Sequence, residues 1–352
     1  MLSKRMKNLV PYVPGEQPQD RTYIKLNTNE NPYPPSPAID KLLKSFPLER
    51  LRLYPDPMFT LLRQTIAGQF GLTPDQVFVG NGSDEVLAFS FYAFFDSDRG
   101  PLLFPEFTYS FYPVYCDFFD IEYVKVPLLP DYSVDLQACI DDRVSCGVIF
   151  PNPNAPTGMV TPLDDIRSFL DTYPGDRVVV VDEAYIDFGG KSAVSLIGDY
   201  DNLVVVRTLS KSMALAGIRI GYAMGNPRLI KALFTVKDSF NSYPANMLSQ
   251  EIARLAISDT DYFDTVVARV ISTRERVTEG MTAMGWEVLP SSANFVFARK
   301  KGVPGKKIYL QLKERGILVR HFDIRGIEDF VRITIGTDED MTTLLEAIGT
   351  CF

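Results

Sequence analysis

Val178-Val179-Val180-Val181-Asp182-Glu183-Ala184-Tyr185 and, further on, Leu203-Val204-Val205-Val206-Arg207-Thr208-Leu209-Ser210-Lys211 are the stretches that decide the fold. Each begins as an apolar, largely β-branched run with no polar alternation. A strand with one wet face alternates, whereas a strand apolar throughout is covered on both faces, as in a parallel or mixed sheet between helices. Each run then breaks into polar residues at its carboxyl end. Sheets of this kind place their ligands just past the carboxyl ends of the strands. Arg219, in Ala216-Gly217-Ile218-Arg219, follows Lys211 by eight residues. An acid, a tyrosine, a lysine and an arginine are therefore expected to converge on one site.

The alternation of strand and helix extends outward from these runs. Val77-Phe78-Val79 reads as a short buried strand, Gly80 to Glu85 as a glycine turn, and Leu87 to Phe95 as a helix. Before them, Phe59, Leu62, Arg63, Ile66, Ala67 and Phe70 recur at helical spacing and stop at Gly71. Pro101 to Phe104, Ile121 to Val126 and Gly147 to Phe150 read as further strands, and Leu163 to Leu170 as a helix. Past about residue 240 the expected helices are Asn246 to Ile257, Tyr262 to Met284 and Lys307 to Arg315. The strands expected there are Phe295 to Phe297, Ile317 to Val319 and Phe330 to Ile335. The expected architecture is α/β, with a mostly parallel central sheet in a large domain (41–242) and a smaller α+β domain (243–352). Residues 1–40, rich in proline and asparagine, are expected to form an extended arm packing with the small domain.

Composition narrows the function. The 352 residues carry a net charge of −8, which argues against a broad nucleic-acid footprint. The four cysteines, Cys116, Cys139, Cys146 and Cys351, form no C-x-x-C pair and point to no zinc site or disulfide framework. The single histidine, His321, excludes a His-rich metal centre, and its place after an apolar run marks it as structural. The first residues lack the apolar core of a signal peptide, and no stretch nears the ~18 apolar residues of a membrane span. A soluble cytoplasmic protein with no bound metal is expected.

The converging residues match the needs of pyridoxal phosphate (PLP). Its aldehyde needs an amine, which Lys211 offers, and its pyridine nitrogen needs an acid, which Asp182 offers. Tyr185 is a hydroxyl donor for the ring oxygen. The phosphate needs backbone N–H groups at a helix start plus a cation, met by Gly82-Ser83-Asp84 with Ser210 and Arg219. The glycine turn alone is a weak signal, because it lacks both the rest of G-x-G-x-x-G and a Walker lysine.

The chain resembles the fold-type I PLP-dependent aminotransferases, and among them the histidinol-phosphate aminotransferase family. The resemblance runs from Leu26-Asn27-Thr28-Asn29-Glu30-Asn31-Pro32 through Tyr54-Pro55-Asp56, Gly82-Ser83-Asp84-Glu85 and Pro153-Asn154-Ala155-Pro156-Thr157-Gly158. It continues through the aspartate and lysine segments quoted above to Arg332-Ile333-Thr334-Ile335-Gly336-Thr337. It implies that Lys211 is the imine-forming lysine and general acid/base, Asp182 the pyridine-nitrogen partner and Tyr185 the ring-oxygen donor. It implies that Tyr109 stacks on the ring and that Ser83, Asp84, Ser210 and Arg219 hold the phosphate. Tyr54 would reach the neighbouring subunit's cofactor in a homodimer. Tyr12, Asn29, Arg320 and Arg332 would face substrate, the two arginines as a pair for its phosphate. The implied reaction is transfer of the amino group from L-histidinol phosphate to 2-oxoglutarate, giving imidazole-acetol phosphate and glutamate. The same scaffold serves aromatic-amino-acid aminotransferases and a threonine-phosphate decarboxylase.

One position departs from the family. An asparagine usually precedes the proline of Pro-Thr-Gly and bonds the ring oxygen, but here that residue is Ala155, with Asn154 before it. Either Asn154 is re-aimed or Tyr185 carries the contact alone.

Overall fold

The structure is a computed structural model and describes residues 6, 9–12, 15–140 and 144–352. Its centre is a seven-stranded sheet. Across the sheet the strands are Val77–Gly80, Gly221–Gly225, Leu203–Thr208, Val178–Asp182, Gly147–Pro151, Leu102–Pro105 and Tyr123–Val126. All run parallel except Gly221–Gly225, which is antiparallel to both neighbours. The interior strands are buried on both faces, as apolar runs without alternation require.

The antiparallel strand lies outside the expected set. Gly-Tyr-Ala-Met-Gly has no β-branched residue, yet every position of it is buried. Its first residue explains the composition: a Cβ on Gly221 would sit 2.3 Å from the Ser83 nitrogen. The strand thus lies hard against the start of the helix Gly82–Phe94. Gly221→Ala should destabilise the protein by about 1–3 kcal/mol, as overpacking does, read as a lower urea midpoint with an unchanged slope.

The second layer is an antiparallel sheet in the order Arg320–His321, Val331–Thr334, Phe295–Lys300 and Trp286–Val288. The helices Thr260–Ala283 and Asp338–Cys351 bury Val270, Val277, Met281, Leu344 and Ile348 in its core. The arm contributes a short strand, Ile24–Lys25, that pairs in parallel with Ile317–Leu318. From residue 15 onward the arm carries no helix until Ala38–Ser45 begins. The helix Met247–Ser258 lies beyond the expected boundary at 242, but Ile252, Ala253, Ala256 and Ile257 pack into the larger core. Three further helices, Tyr112–Phe119, Pro227–Phe240 and Asp338–Cys351, lie outside the expected set. Among the described residues no helix is long and apolar enough to cross a membrane, and no group of three or more His, Cys, Asp or Glu side chains is placed to hold a metal ion.

Candidate active site

Asp182 ends its strand and stands in register with Val206 of the parallel neighbour, the strand that runs on to Thr208 and leads into Lys211. Asp182 is buried. Its Oδ2 accepts from the Tyr112 hydroxyl at 3.0 Å and its Oδ1 from the Ala184 N–H at 3.2 Å. Burial pushes its carboxyl up to about 6, against the opposing pull of these two hydrogen bonds and of Lys211. Lys211 Nζ donates to the Thr28 carbonyl at 3.3 Å and lies 5.7 Å from the centre of the Tyr185 ring. Its loop is anchored from below, where the Ser212 hydroxyl donates to Asp187 at 2.5 Å and Arg207 pairs with the same carboxylate. Asn31 Nδ2 reaches the carbonyls of Lys211 and Ser212, each at 3.1 Å.

The expected phosphate residues also meet. Gly82 opens its helix at φ +80°, and a Cβ there would lie 2.5 Å from Arg219 Nη2, so the guanidinium covers the helix start. Arg219 itself holds φ +56°, an uncommon conformation for a side-chain-bearing residue. Its Nη1 reaches Ser210 Oγ at 3.5 Å, and its Nη2 pairs with Asp84 Oδ2 at 3.0 Å. The other Asp84 oxygen accepts from the Tyr109 hydroxyl at 2.8 Å. The Asp84 carboxylate is thus taken up by protein partners.

Above this floor lies a cavity of about 260 Å³, lined by Tyr12, Asn29, Tyr109, Tyr185, Arg320 and Arg332, and also by Lys211. Arg320 and Arg332 are directly paired across the antiparallel strands. Arg332 Nη2 donates to the Asn27 carbonyl at 3.1 Å, while its buried Nε has no partner. Burial holds its pKa below the usual arginine value, and neighbouring Arg320 acts in the same direction. Tyr54 is the outlier of the expected set. It does not line this cavity; it is 80% exposed and stacks on Tyr243 with ring centres 4.7 Å apart. His321 Nε2 lies 2.9 Å from the Glu328 carbonyl oxygen, with its ring beside Tyr309.

The profile of the family described as "Aminotransferase class I and II" matches residues 21–348. The chain is 58% identical over 354 residues to a histidinol-phosphate aminotransferase of Syntrophus aciditrophicus, covering 100% of this chain and 98% of that one. The chain belongs to the histidinol-phosphate aminotransferases. Solved structures agree on the fold of this aminotransferase. The histidinol-phosphate aminotransferase of Clostridium acetobutylicum superposes with a TM-score of 0.85 at 25% identity, covering 93% of this chain and 98% of that one. That of Sinorhizobium meliloti, in complex with pyridoxal-5'-phosphate, gives 0.85 at 24% identity, covering 94% and 91%.

The departure at Ala155 takes a definite form in this aminotransferase. Ala155 lines the cavity, whereas Asn154 turns beneath it and donates to the Phe107 carbonyl at 2.9 Å and to Thr157 Oγ1 at 3.1 Å. Asn154 is therefore not re-aimed toward the cavity. Several residues of the site went unread in the sequence. Tyr112 was one aromatic among many between Phe107 and Phe119, and only its buried bond to Asp182 distinguishes it. Thr108, whose buried hydroxyl has no partner, and Gln17 and Phe322 also line the cavity without any motif to mark them.

Proposed function

We propose that the chain holds PLP on Lys211 and transfers the amino group of L-histidinol phosphate to 2-oxoglutarate. The observation that carries this reading is that Asp182 ends one strand and Lys211 follows the end of its parallel neighbour, with Arg219 covering the nearby helix start. Bound PLP would supply an electron sink for the charge left on the substrate carbon when its proton departs. Lys211 Nζ is the amine for the aldehyde and then the base that takes that proton. Asp182 faces the pyridine nitrogen and balances its positive charge. The N–H groups of Ser83 and Asp84, with Ser210 and Arg219, bind the phosphate, and Tyr109 covers the ring. The fit is supported by buried polar atoms left without partners around the cavity, Thr108 Oγ1 and Arg332 Nε.

Tyr185 is the ring-oxygen donor in this reading, with no help from residue 155. Arg320 and Arg332 bind the substrate phosphate, and Tyr12 and Asn29 line the substrate side. The acceptor 2-oxoglutarate presents a carboxylate to the same arginines. The exposed Tyr54, beside exposed Leu48, Leu51 and Leu53, belongs to a homodimer interface from which it reaches the neighbouring subunit's cofactor. The large and small domains divide after the helix Met247–Ser258, and the enzyme works in the cytoplasm.

A substrate panel with 2-oxoglutarate as acceptor tests the specificity. Histidinol phosphate should exceed phenylalanine in kcat/KM by at least about tenfold, and Arg332→Met should cut kcat/KM for histidinol phosphate by about 100-fold. A clear preference for phenylalanine would overturn the substrate assignment and leave the aminotransferase in place.

A further inference from the structure

Tyr185 has one hydroxyl hydrogen, and its direction decides whether the side chain can donate to the cofactor's ring oxygen. Asn29 Nδ2 donates to the Tyr185 oxygen at 3.0 Å. Asn29 Oδ1 accepts from Thr334 Oγ1 at 3.0 Å, and the same Thr334 oxygen accepts the Asn29 backbone N–H, also at 3.0 Å. The Asn29 carbonyl accepts from Asn294 Nδ2 at 3.0 Å. Asn29, Thr334 and Asn294 are all buried, and Asn29 is held at φ +57°, a conformation asparagine tolerates better than most residues.

We propose that Asn29 is a positioning residue that turns the Tyr185 hydroxyl hydrogen into the cavity. The inference rests on the PLP reading above. Its physical basis is the pairing of donors with acceptors. Were the Asn29 amide reversed, Thr334 Oγ1 would accept two hydrogen bonds and its own hydrogen would be left unpartnered in the interior, which native proteins avoid. With the amide as it stands, Nδ2 can only donate, so the Tyr185 oxygen is the acceptor on that side. Its hydrogen is then free to point at the cavity that Tyr185 lines together with Lys211. Because Ala155 has no side-chain donor, this orientation bears the whole side-chain contact to the ring oxygen from that edge. A donated hydrogen bond stabilises negative charge on that oxygen and lowers the pH at which the bound cofactor's visible band titrates.

The test is a pH titration of that band in the full-length chain loaded with PLP. Asn29→Asp keeps the size and offers a carboxylate that captures the Tyr185 hydrogen. Its midpoint should rise by about one pH unit, a tenfold change in proton affinity, matching Tyr185→Phe. The double variant N29D/Y185F should add little to Y185F. Asn29→Gly tolerates the positive φ and removes the donor, so it should raise the midpoint by about threefold in proton affinity. It also serves if the aspartate variant does not fold. A purely structural asparagine would change stability or PLP affinity and leave the midpoint alone. If Tyr185→Phe moves the midpoint while both folded Asn29 variants stay within about twofold of wild type, the inference is overturned. If Tyr185→Phe does not move it either, the donor role of Tyr185 falls and the inference with it. A wild-type chain that forms no visible band with PLP overturns the cofactor reading itself.

Discussion

Lys211→Ala should lower transamination by about 10⁴-fold or more, because one side chain supplies both the amine for the aldehyde and the base for the substrate proton. The two losses fall on successive steps, so they are not rescued together. An added small amine should restore part of the proton transfer. The fold should survive, since among the described residues the Lys211 side chain makes one hydrogen bond, to the Thr28 carbonyl, and its loop is anchored through Ser212 and Asn31. Two measurements check this: steady-state turnover, and reduction with borohydride followed by mass analysis of the peptide containing residue 211. Substantial turnover in the variant, or PLP fixed by borohydride to another lysine, would remove Lys211 from its role.

Asp182→Asn should act in opposite directions on activity and on stability. Turnover should fall by about 10²–10³-fold, as when a preorganised charge is removed from a reacting centre. The cofactor-free protein should nonetheless become more stable at neutral pH. Burial raises the Asp182 carboxyl from 3.8 to about 6, so the folded state holds the proton more tightly than the unfolded chain. The favourable contribution is fully present below about pH 4 and is lost as pH rises through about 6. The difference of about 2 units corresponds to ~3 kcal/mol charged against the folded state at pH 8. Asparagine is neutral at every pH and can keep the Ala184 contact. Urea unfolding of the two cofactor-free proteins at pH 4 and pH 8 measures this, with the variant's advantage expected only at pH 8. A variant less stable at pH 8 would show that Asp182 is not strained by burial.

The sheet was legible where side-chain chemistry and burial agree. Val178–Asp182 and Leu203–Thr208 are runs that only a doubly covered strand tolerates, and their polar ends located the site. Gly221–Gly225 was illegible because its sequence answers to close approach: the Ser83 backbone forbids a side chain at Gly221. The helix Pro227–Phe240 carries an Asn226 cap and a proline in its first turn, and Asp338–Cys351 a Thr337 capping box. Both are sequence-legible marks of a helix start. At the site, residue identity indicated which side chains gather and could not give their direction. Motif order does not reveal that Asn154 faces Phe107, that the Asp84 carboxylate is taken up by Arg219 and Tyr109, or that the Asn29 amide is shared between Thr334 and Tyr185. Those outcomes depend on pairing every buried donor with an acceptor across the whole molecule.

The pairing of Ile24–Lys25 with Ile317–Leu318, and of Asn29 with Thr334 across 305 residues, also sets the order in which the protein can be finished. During synthesis the arm emerges well before the partners it pairs with. The central sheet can assemble from neighbouring strands while Ile24–Lys25 and Asn29 still lack these partners. Contacts of such long sequence separation form late and slow the final stage of folding. A chain that stops short of residue 317 can therefore fold much of its sheet and still lack a wall of the cavity.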